Sequence, residues 1–148
     1  MEVLDPVSVV LDQKGKDVWS ISPQATVYEA LEIMSAHEVG ALLVVENGAL
    51  IGLVSERDYA RKIILHGRSS RDTAVREIMN APPITISTNA TVDGAMRLMT
   101  EHRIRHLPVV DSNSRAIGVV SIGDLVKWTI TSHEHTIGQL QSYIAGQV

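Results

Sequence analysis

The stretch Gly52–Asp58, with the sequence GLVSERD, places serine, glutamate, arginine and aspartate side chains on four consecutive positions. Groups of these types could form a catalytic set, a binding site or the capped start of a helix. A serine nucleophile needs a base within hydrogen-bond reach, and no suitably placed histidine accompanies Ser55. Ser-x-x-Asp is also a capping box, in which both side chains satisfy free backbone N–H groups. We therefore expect no enzymatic activity, whereas capping and binding are compatible with each other.

The GLVSERD turn is one of two copies in the chain. Residues 20–45 and 85–110 share 11 identical positions out of 26 at a constant offset of 65, and Gly118–Asp124 has the sequence GVVSIGD. The second turn keeps the Gly, Ser and Asp and lacks the Glu and Arg, which argues further against catalysis. A duplication of this length predicts two similar halves related by an approximate twofold axis.

Each half predicts the same order of elements. Apolar residues recur at helical spacing over 27–34 and 92–99, with Thr26 and Thr91 placed as N-caps. Two short apolar runs follow in each half and predict a hairpin, and a second helix begins at the Ser-x-x-Asp turn. Each half is therefore a β-α-β-β-α unit, and the chain falls in the α/β class (α+β by some schemes).

We divide the chain into three parts. They are a first repeat with an N-terminal helix (7–66), a second repeat (77–130) and a C-terminal helical tail (131–148). In the N-terminal helix, Asp5 is predicted as the cap, Pro6 as the first helical residue and Gly15 as the stop. The tail carries an apolar stripe without a partner in its own half, formed by Ile137, Leu140 and Ile144.

Composition narrows the classes of function. The net charge is −4 and no basic run occurs, so we expect no nucleic-acid binding. No apolar run is long enough to span a membrane, cysteine is absent, and the N-terminus lacks the features of a signal peptide, so a cytoplasmic location is predicted. His133 and His135 could suggest a metal, but no further ligands lie near them in the sequence. His102 and His106 have the i, i+4 spacing of a ligand pair, but His102 should end a helix and His106 should enter a strand, so we expect no metal site.

The duplicated pattern, the segment HRIRHLPVVD and the two turns GLVSERD and GVVSIGD resemble a tandem pair of cystathionine β-synthase-type (CBS) domains. The resemblance covers roughly residues 7–130, and GLVSERDYARKI further resembles stand-alone CBS-pair proteins. It implies two repeats that pack through their sheets and leave two clefts. Family members bind adenosine-containing ligands there, among them AMP, ADP, ATP, NAD(H) and S-adenosylmethionine.

The resemblance implies two sets of ligand-binding residues. Those expected at ribose or phosphate are Ser55, Arg57, Asp58, Arg105, His106, Ser121, Gly123 and Asp124. Those expected at the base or the cleft wall are Lys14, Asp17, Val18, Trp19, Gly40, Ala41, Met79, Pro82, Ile84 and Val119. An ionised aspartate can accept hydrogen bonds from both hydroxyl groups of a ribose.

Simpler interpretations of single residues stay open. Arg57 either bridges a phosphate or is solvated at the helix start, and Trp19 either covers a base or fills the edge of the core. His106 either meets a phosphate or is a buried histidine bonded to backbone. The halves differ at Gly40-Ala41 against Arg105-His106, which predicts clefts that bind unequally.

The sequence thus predicts a non-enzymatic, homodimeric module that senses an adenine nucleotide such as AMP, ATP or NAD(H). Ligand binding would change the orientation of the repeats, and an unidentified regulated protein would respond. The alternative is a constitutive dimeric scaffold with vestigial clefts.

Overall fold

The computed structural model describes residues 3–15 and 17–145, which form two three-stranded sheets and the helices around them. The helix α1 (Val7–Lys14) precedes both halves. The first half contains β1 (Ser20–Ile21), α2 (Val27–His37), β2 (Ala41–Glu46), β3 (Ala49–Ser55) and α3 (Glu56–Tyr59). The second half contains β4 (Ile86–Ser87), α4 (Val92–His102), β5 (His106–Val110), β6 (Ala116–Ser121) and α5 (Ile122–Ile144).

The two sheets have the same topology, as the duplication predicts. In each half the short first strand pairs in parallel with the second, and the second pairs antiparallel with the third. Thr26 and Thr91 cap α2 and α4 by accepting hydrogen bonds from the N–H groups of Glu29 and Gly94. The predicted β-α-β-β-α order and the helix caps are therefore confirmed.

The halves pack through their sheets. Leu43 of β2 and Leu53 of β3 are buried, and Ala116 and Val119 of β6 pack against the cluster that they form with Ala41. This shared apolar layer brings the end of β3 and the start of β5 close to one another. Both Ser-x-x-Asp turns lie at its margin, because each turn directly follows the last strand of its half.

The segment that precedes each repeat packs against the other repeat. Val7 and Leu11 of α1 belong to the core of the second half. Val75 and Ile78 belong to the core of the first half and lie in the linker, by which we mean residues 65–85 between the last helical turn of the first half and β4. The helix α1, which the sequence groups with the first repeat, is thus buried by the second. The boundaries of the three predicted parts remain a prediction.

The start of α1 differs from the prediction. Pro6 is the residue before the helix rather than its first residue, and Asp5 does not cap it. The first-turn N–H groups of Val7 and Ser8 instead donate to the carbonyl groups of Ala90 and Thr88, so no side-chain cap is needed. The carboxylate of Asp5 accepts a hydrogen bond from Trp128 Nε1 at 2.9 Å.

The two helices after the Ser-x-x-Asp turns differ in length. The helix α3 has one regular turn and continues as a π-helical turn over Ala60–Ile64, whereas α5 runs without a break to Ile144. Residues 131–144 of the predicted tail are therefore the second part of α5, and residues 146–148 lie outside the described residues. Its predicted stripe is exposed, with Ile137, Leu140 and Ile144 each more than half exposed. In the part of the chain that is described, no helix is long and apolar enough to cross a membrane.

Candidate ligand-binding clefts

Two clefts open along the line where the halves meet. The Asp58 cleft encloses about 270 Å³ between the β3–α3 turn of the first half and residues 80 and 102–106 of the second. The Asp124 cleft encloses about 230 Å³ between residues 14–41 and the β6–α5 turn. His106 lines both clefts, so a molecule in either one would contact both halves.

The two turns have nearly the same internal hydrogen bonds. The N–H of Ser55 donates to Asp58 Oδ2 at 2.8 Å, and the N–H of Asp58 donates to Ser55 Oγ at 3.3 Å. The corresponding distances for Ser121 and Asp124 are 2.8 and 3.1 Å. Both predicted capping boxes therefore form, and each holds its carboxylate at the margin of a cleft.

The glycine of each turn allows another segment to approach closely. A Cβ on Gly52 would lie 2.9 Å from the carbonyl oxygen of Asn80, and one on Gly118 would lie 2.7 Å from Leu11 Cδ2. The approaching groups are the linker at Gly52 and α1 at Gly118.

The carboxylate of Asp58 is buried and fully engaged. Besides the bond from Ser55, both of its oxygens accept from Asn80 Nδ2 at 3.1 Å, and Lys62 Nζ lies 3.3 Å from Oδ1. Asn80 is held by backbone hydrogen bonds in both directions with Leu53. Neither Asn80 nor Lys62 was predicted as a site residue, although the spacing of Asp58 and Lys62 by one helical turn could have indicated the pair.

The carboxylate of Asp124 has a different partner and a freer oxygen. Lys14 Nζ donates to Asp124 Oδ2 at 2.5 Å and to the carbonyl of Val119 at 2.7 Å. No donor among the described residues reaches Oδ1. Burial alone would raise the pKa of Asp124, but Lys14 and the N–H of Ser121 hold that pKa below its ordinary value. Lys14, which was predicted at the base or wall of the cleft, lines the Asp124 cleft and is bonded there to the predicted ribose carboxylate.

Four arginines surround the Asp58 cleft. Arg57 and Arg61 lie one helical turn apart on the first-half side, and Arg103 and Arg105 face them from the second half. Burial and repulsion from Arg105 and Arg61 lower the pKa of Arg57. Arg57 and Arg105 were predicted as site residues, whereas Arg61 and Arg103 were not. The recurrence of arginine one turn after Arg57 and two residues before Arg105 was the signal available.

His106 forms a wall between the clefts opposite Gly40. A Cβ on Gly40 would lie 3.4 Å from His106 Nε2, so the small residue makes room for the imidazole. Burial, followed by repulsion from Lys14, lowers the pKa of His106 to about 4, and the ring is therefore neutral near pH 7. Ala41 lines the Asp124 cleft beside Gly40.

The remaining predicted wall residues separate into three groups. Asp17, Trp19 and Val119 line the Asp124 cleft, and the Trp19 ring also stacks on His37 with centroids 3.5 Å apart. Pro82 and Ile84 line a small cavity of about 40 Å³ that shares Leu53, Asn80 and His106 with the Asp58 cleft. Val18 and Met79 do not line these two clefts and pack against apolar clusters. Gly123, which was predicted at ribose or phosphate, also lines neither cleft and lies exposed in the first turn of α5.

The histidines considered as metal ligands were His102 and His106 and the pair in His133–His135. His102 ends α4 and His106 begins β5, and both line the Asp58 cleft. Within residues 3–15 and 17–145, no three His, Asp or Glu side chains come together in a way that could hold a metal ion. The side chain of His135 lies outside the described residues.

Comparisons with known proteins agree with the duplicated fold. The model of the CBS domain matches residues 9–65 and 75–130. The chain is 43% identical to the CBS domain-containing protein CBSX3, mitochondrial, of Arabidopsis thaliana, over 95% of this chain and 72% of that protein.

Two solved structures have the same arrangement of repeats. A CBS-domain protein from Burkholderia ambifaria MC40-6 is 43% identical, with a TM-score of 0.82 over 86% of this chain and 95% of that one. The CBS domain pair of protein MJ0100, in complex with 5′-methylthioadenosine and S-adenosyl-L-methionine, is 25% identical, with a TM-score of 0.77 over 87% of this chain and 98% of that one. The similarity predicted from the sequence is confirmed.

Proposed function

The chain belongs to the CBS domain family as a tandem pair, and from this we propose that it is a non-enzymatic regulatory module whose clefts bind adenosine-containing ligands. The observation that carries the proposal is the position of the two clefts. Each is lined by residues from both halves and has a serine-capped carboxylate at its margin. A ligand in either cleft therefore links the repeats directly.

The Asp124 cleft has the chemistry for a nucleoside. Asp124 Oδ1 can accept from a ribose hydroxyl, and Trp19 offers an aromatic surface in the same cleft. The complex of the MJ0100 pair with 5′-methylthioadenosine and S-adenosyl-L-methionine supports the adenosine class of ligand. AMP, ADP, ATP and NAD(H) belong to the same class and are the ligands we propose to compare.

Ligand binding regulates only if it favours one arrangement of the repeats over another. His106 and Gly40 face each other across the line between the halves, so a ligand that moves either residue changes how the halves fit together. We propose that the protein acts as a homodimer in the cytoplasm. A regulated partner protein would read the change as a signal of energy charge or redox cofactor level.

The second candidate function is a constitutive dimeric scaffold with vestigial clefts. The observation that favours it is the saturated carboxylate of Asp58, which Asn80 and Lys62 already occupy. On this view the clefts need no ligand, and the exposed stripe of α5 makes the functional contact.

Thermal-shift measurements separate the two functions. The protein is melted with AMP, ADP, ATP, NAD(H) and S-adenosylmethionine, since a ligand that binds only the folded state raises the melting temperature. We expect stabilisation by at least one of these ligands, and its loss in Asp124→Ala or Asp58→Ala. The exposed Asp72→Ala serves as the matched carboxylate control, because Asp72 lines neither cleft. Unchanged melting temperatures with all ligands would favour the scaffold.

A further inference from the structure

The Asp58 cleft has a large excess of positive charge. Its lining contains five cationic side chains and a single carboxylate, and that carboxylate is already neutralised by Lys62 and held by Asn80. Within the described parts of the chain, none of the four arginines forms an ion pair. Like charges gathered in this way repel one another and attract a polyanion.

The arginines are placed to hold phosphate from two sides. Arg57 and Arg61 project from the first half, and Arg103 and Arg105 belong to the loop before β5 of the second half. Guanidinium groups bind phosphate oxygens through paired, charge-assisted hydrogen bonds. A ligand with several phosphates could satisfy guanidinium groups of both halves at once, whereas a single phosphate reaches fewer of them.

The Asp124 cleft has the opposite balance. Its described lining contains the carboxylates of Asp17, Glu38 and Asp124, and Lys14, which is paired with Asp124. His106 adds no charge near pH 7, because burial lowers its pKa to about 4. Asp17 and Glu38 thus leave this cleft with an excess of negative charge that disfavours a polyphosphate.

We propose that charge sorts ligands between the two clefts: the Asp58 cleft takes the polyphosphate of a nucleoside di- or triphosphate, and the Asp124 cleft takes an adenosine derivative with little or no negative charge. This inference rests on the proposed function and specifies the ligand of each cleft. Recognition in the Asp58 cleft then depends on guanidinium groups, because its carboxylate is saturated. Recognition in the Asp124 cleft depends on the carboxylate, because one of its oxygens is free.

Calorimetric titration of the full chain tests the sorting. ATP, tripolyphosphate, adenosine and S-adenosylmethionine are titrated into the wild type, Arg57→Gln/Arg61→Gln and Asp124→Asn. The arginine variant should lose about tenfold or more in ATP affinity and keep its affinity for adenosine. Asp124→Asn should lose affinity for adenosine and S-adenosylmethionine and keep that for ATP. The affinities for ATP and tripolyphosphate should fall as salt is raised, whereas those for adenosine and S-adenosylmethionine should change little.

Arg97→Gln/Arg115→Gln is the matched control, because it removes the same charge from exposed positions outside both clefts. If this control weakens ATP binding as much as Arg57→Gln/Arg61→Gln does, net charge explains the effect and the sorting is overturned. The sorting is also overturned if both cleft variants weaken both ligand classes equally. Melting temperatures without ligand check that each variant is folded.

The remaining outcomes separate this inference from the proposed function. Binding of adenosine and ATP with equal affinity and no dependence on the arginines keeps the proposed function and overturns the sorting. Binding of tripolyphosphate without any adenosine ligand keeps the anion site, overturns the nucleoside site and contradicts the proposed function. If tripolyphosphate binds with the same affinity as ATP and adenosine still binds, the sorting is supported and the polyphosphate alone is the part of ATP that the Asp58 cleft recognises.

Discussion

The two Ser-x-x-Asp turns differ in their surroundings much more than in their own geometry. Both hold the aspartate through the same pair of hydrogen bonds, yet the Asp58 turn is closed by the linker and the Asp124 turn by α1. Asp58 is bonded to the neutral amide of Asn80 and paired with Lys62. Asp124 is paired with Lys14, its one cationic partner among the described residues. The duplication therefore preserved the geometry of the turn, and the different segments that pack against each turn, the linker and α1, make the two sites different.

The largest expected difference concerns the glycines. Gly52→Ala places a methyl group against the backbone carbonyl of Asn80, which cannot rotate away, and should destabilise the protein by roughly 2–3 kcal/mol. Gly118→Ala meets the end of the Leu11 side chain, which can adjust, and should cost roughly 1 kcal/mol. Chemical denaturation of both variants measures the difference.

Gly138→Ala is the control for these variants, because no described group outside its own stretch of helix lies within 4 Å of the added methyl group. Alanine in a helix should stabilise the protein by several tenths of a kcal/mol. Equal losses from Gly52→Ala and Gly118→Ala would contradict the assignment of a rigid neighbour to one turn and an adjustable neighbour to the other.

The aspartates should differ by a smaller amount. Asp58→Ala removes a carboxylate that is only 10% exposed and that accepts hydrogen bonds from Asn80 and pairs with Lys62, with an expected cost of roughly 2 kcal/mol. Asp124→Ala breaks a pair in which Lys14 is 36% exposed, and should cost roughly 1 kcal/mol. Urea unfolding at pH 7 without ligand compares the variants. A larger loss for Asp124→Ala would contradict the difference in burial.

His106 should make the free energy of unfolding depend on pH. Ala41, at the corresponding position of the first half, has no titratable group. From pH 6.5 down to about 4 the unfolded chain binds a proton on this imidazole that the folded chain excludes, so stability falls as pH falls. We expect a loss of roughly 2 kcal/mol between pH 7 and pH 5, and a shallower loss in His106→Asn. Urea unfolding at pH 7 and pH 5 measures it, and equal losses in both proteins would rule out the buried neutral imidazole.

Local pattern predicted the elements and the turns well. The Ser-x-x-Asp boxes, the threonine caps and the hairpins depend on residues within a few positions of one another, so the sequence shows them directly. The partners of the aspartates could not be found in this way. Asn80 is 22 residues from Asp58 and Lys14 is 110 residues from Asp124, and only the fold brings them together.

The positive charge of the Asp58 cleft could not be predicted from the sequence either, and the reason is physical. Arg57 and Arg61 come from one half and Arg103 and Arg105 from the other, and neither pair forms a basic run in a chain with a net charge of −4. The sequence did indicate that Gly40-Ala41 and Arg105-His106 make the halves unequal. The structure adds that these pairs meet across the line between the halves, where Gly40 faces His106.

The packing of α1 on the second half has a consequence for synthesis of the chain. Val7 and Leu11 leave the ribosome well before Leu125, which belongs to the core that buries them. At ordinary rates of translation the helix waits roughly 5–25 s for that residue to be made. The delay is much shorter for the first repeat, because Val75 and Ile78, which complete its core, follow Ile63 of the same core by 12 and 15 residues. During this interval the apolar side of α1 is open to chaperones, and its burial marks the completion of the second half.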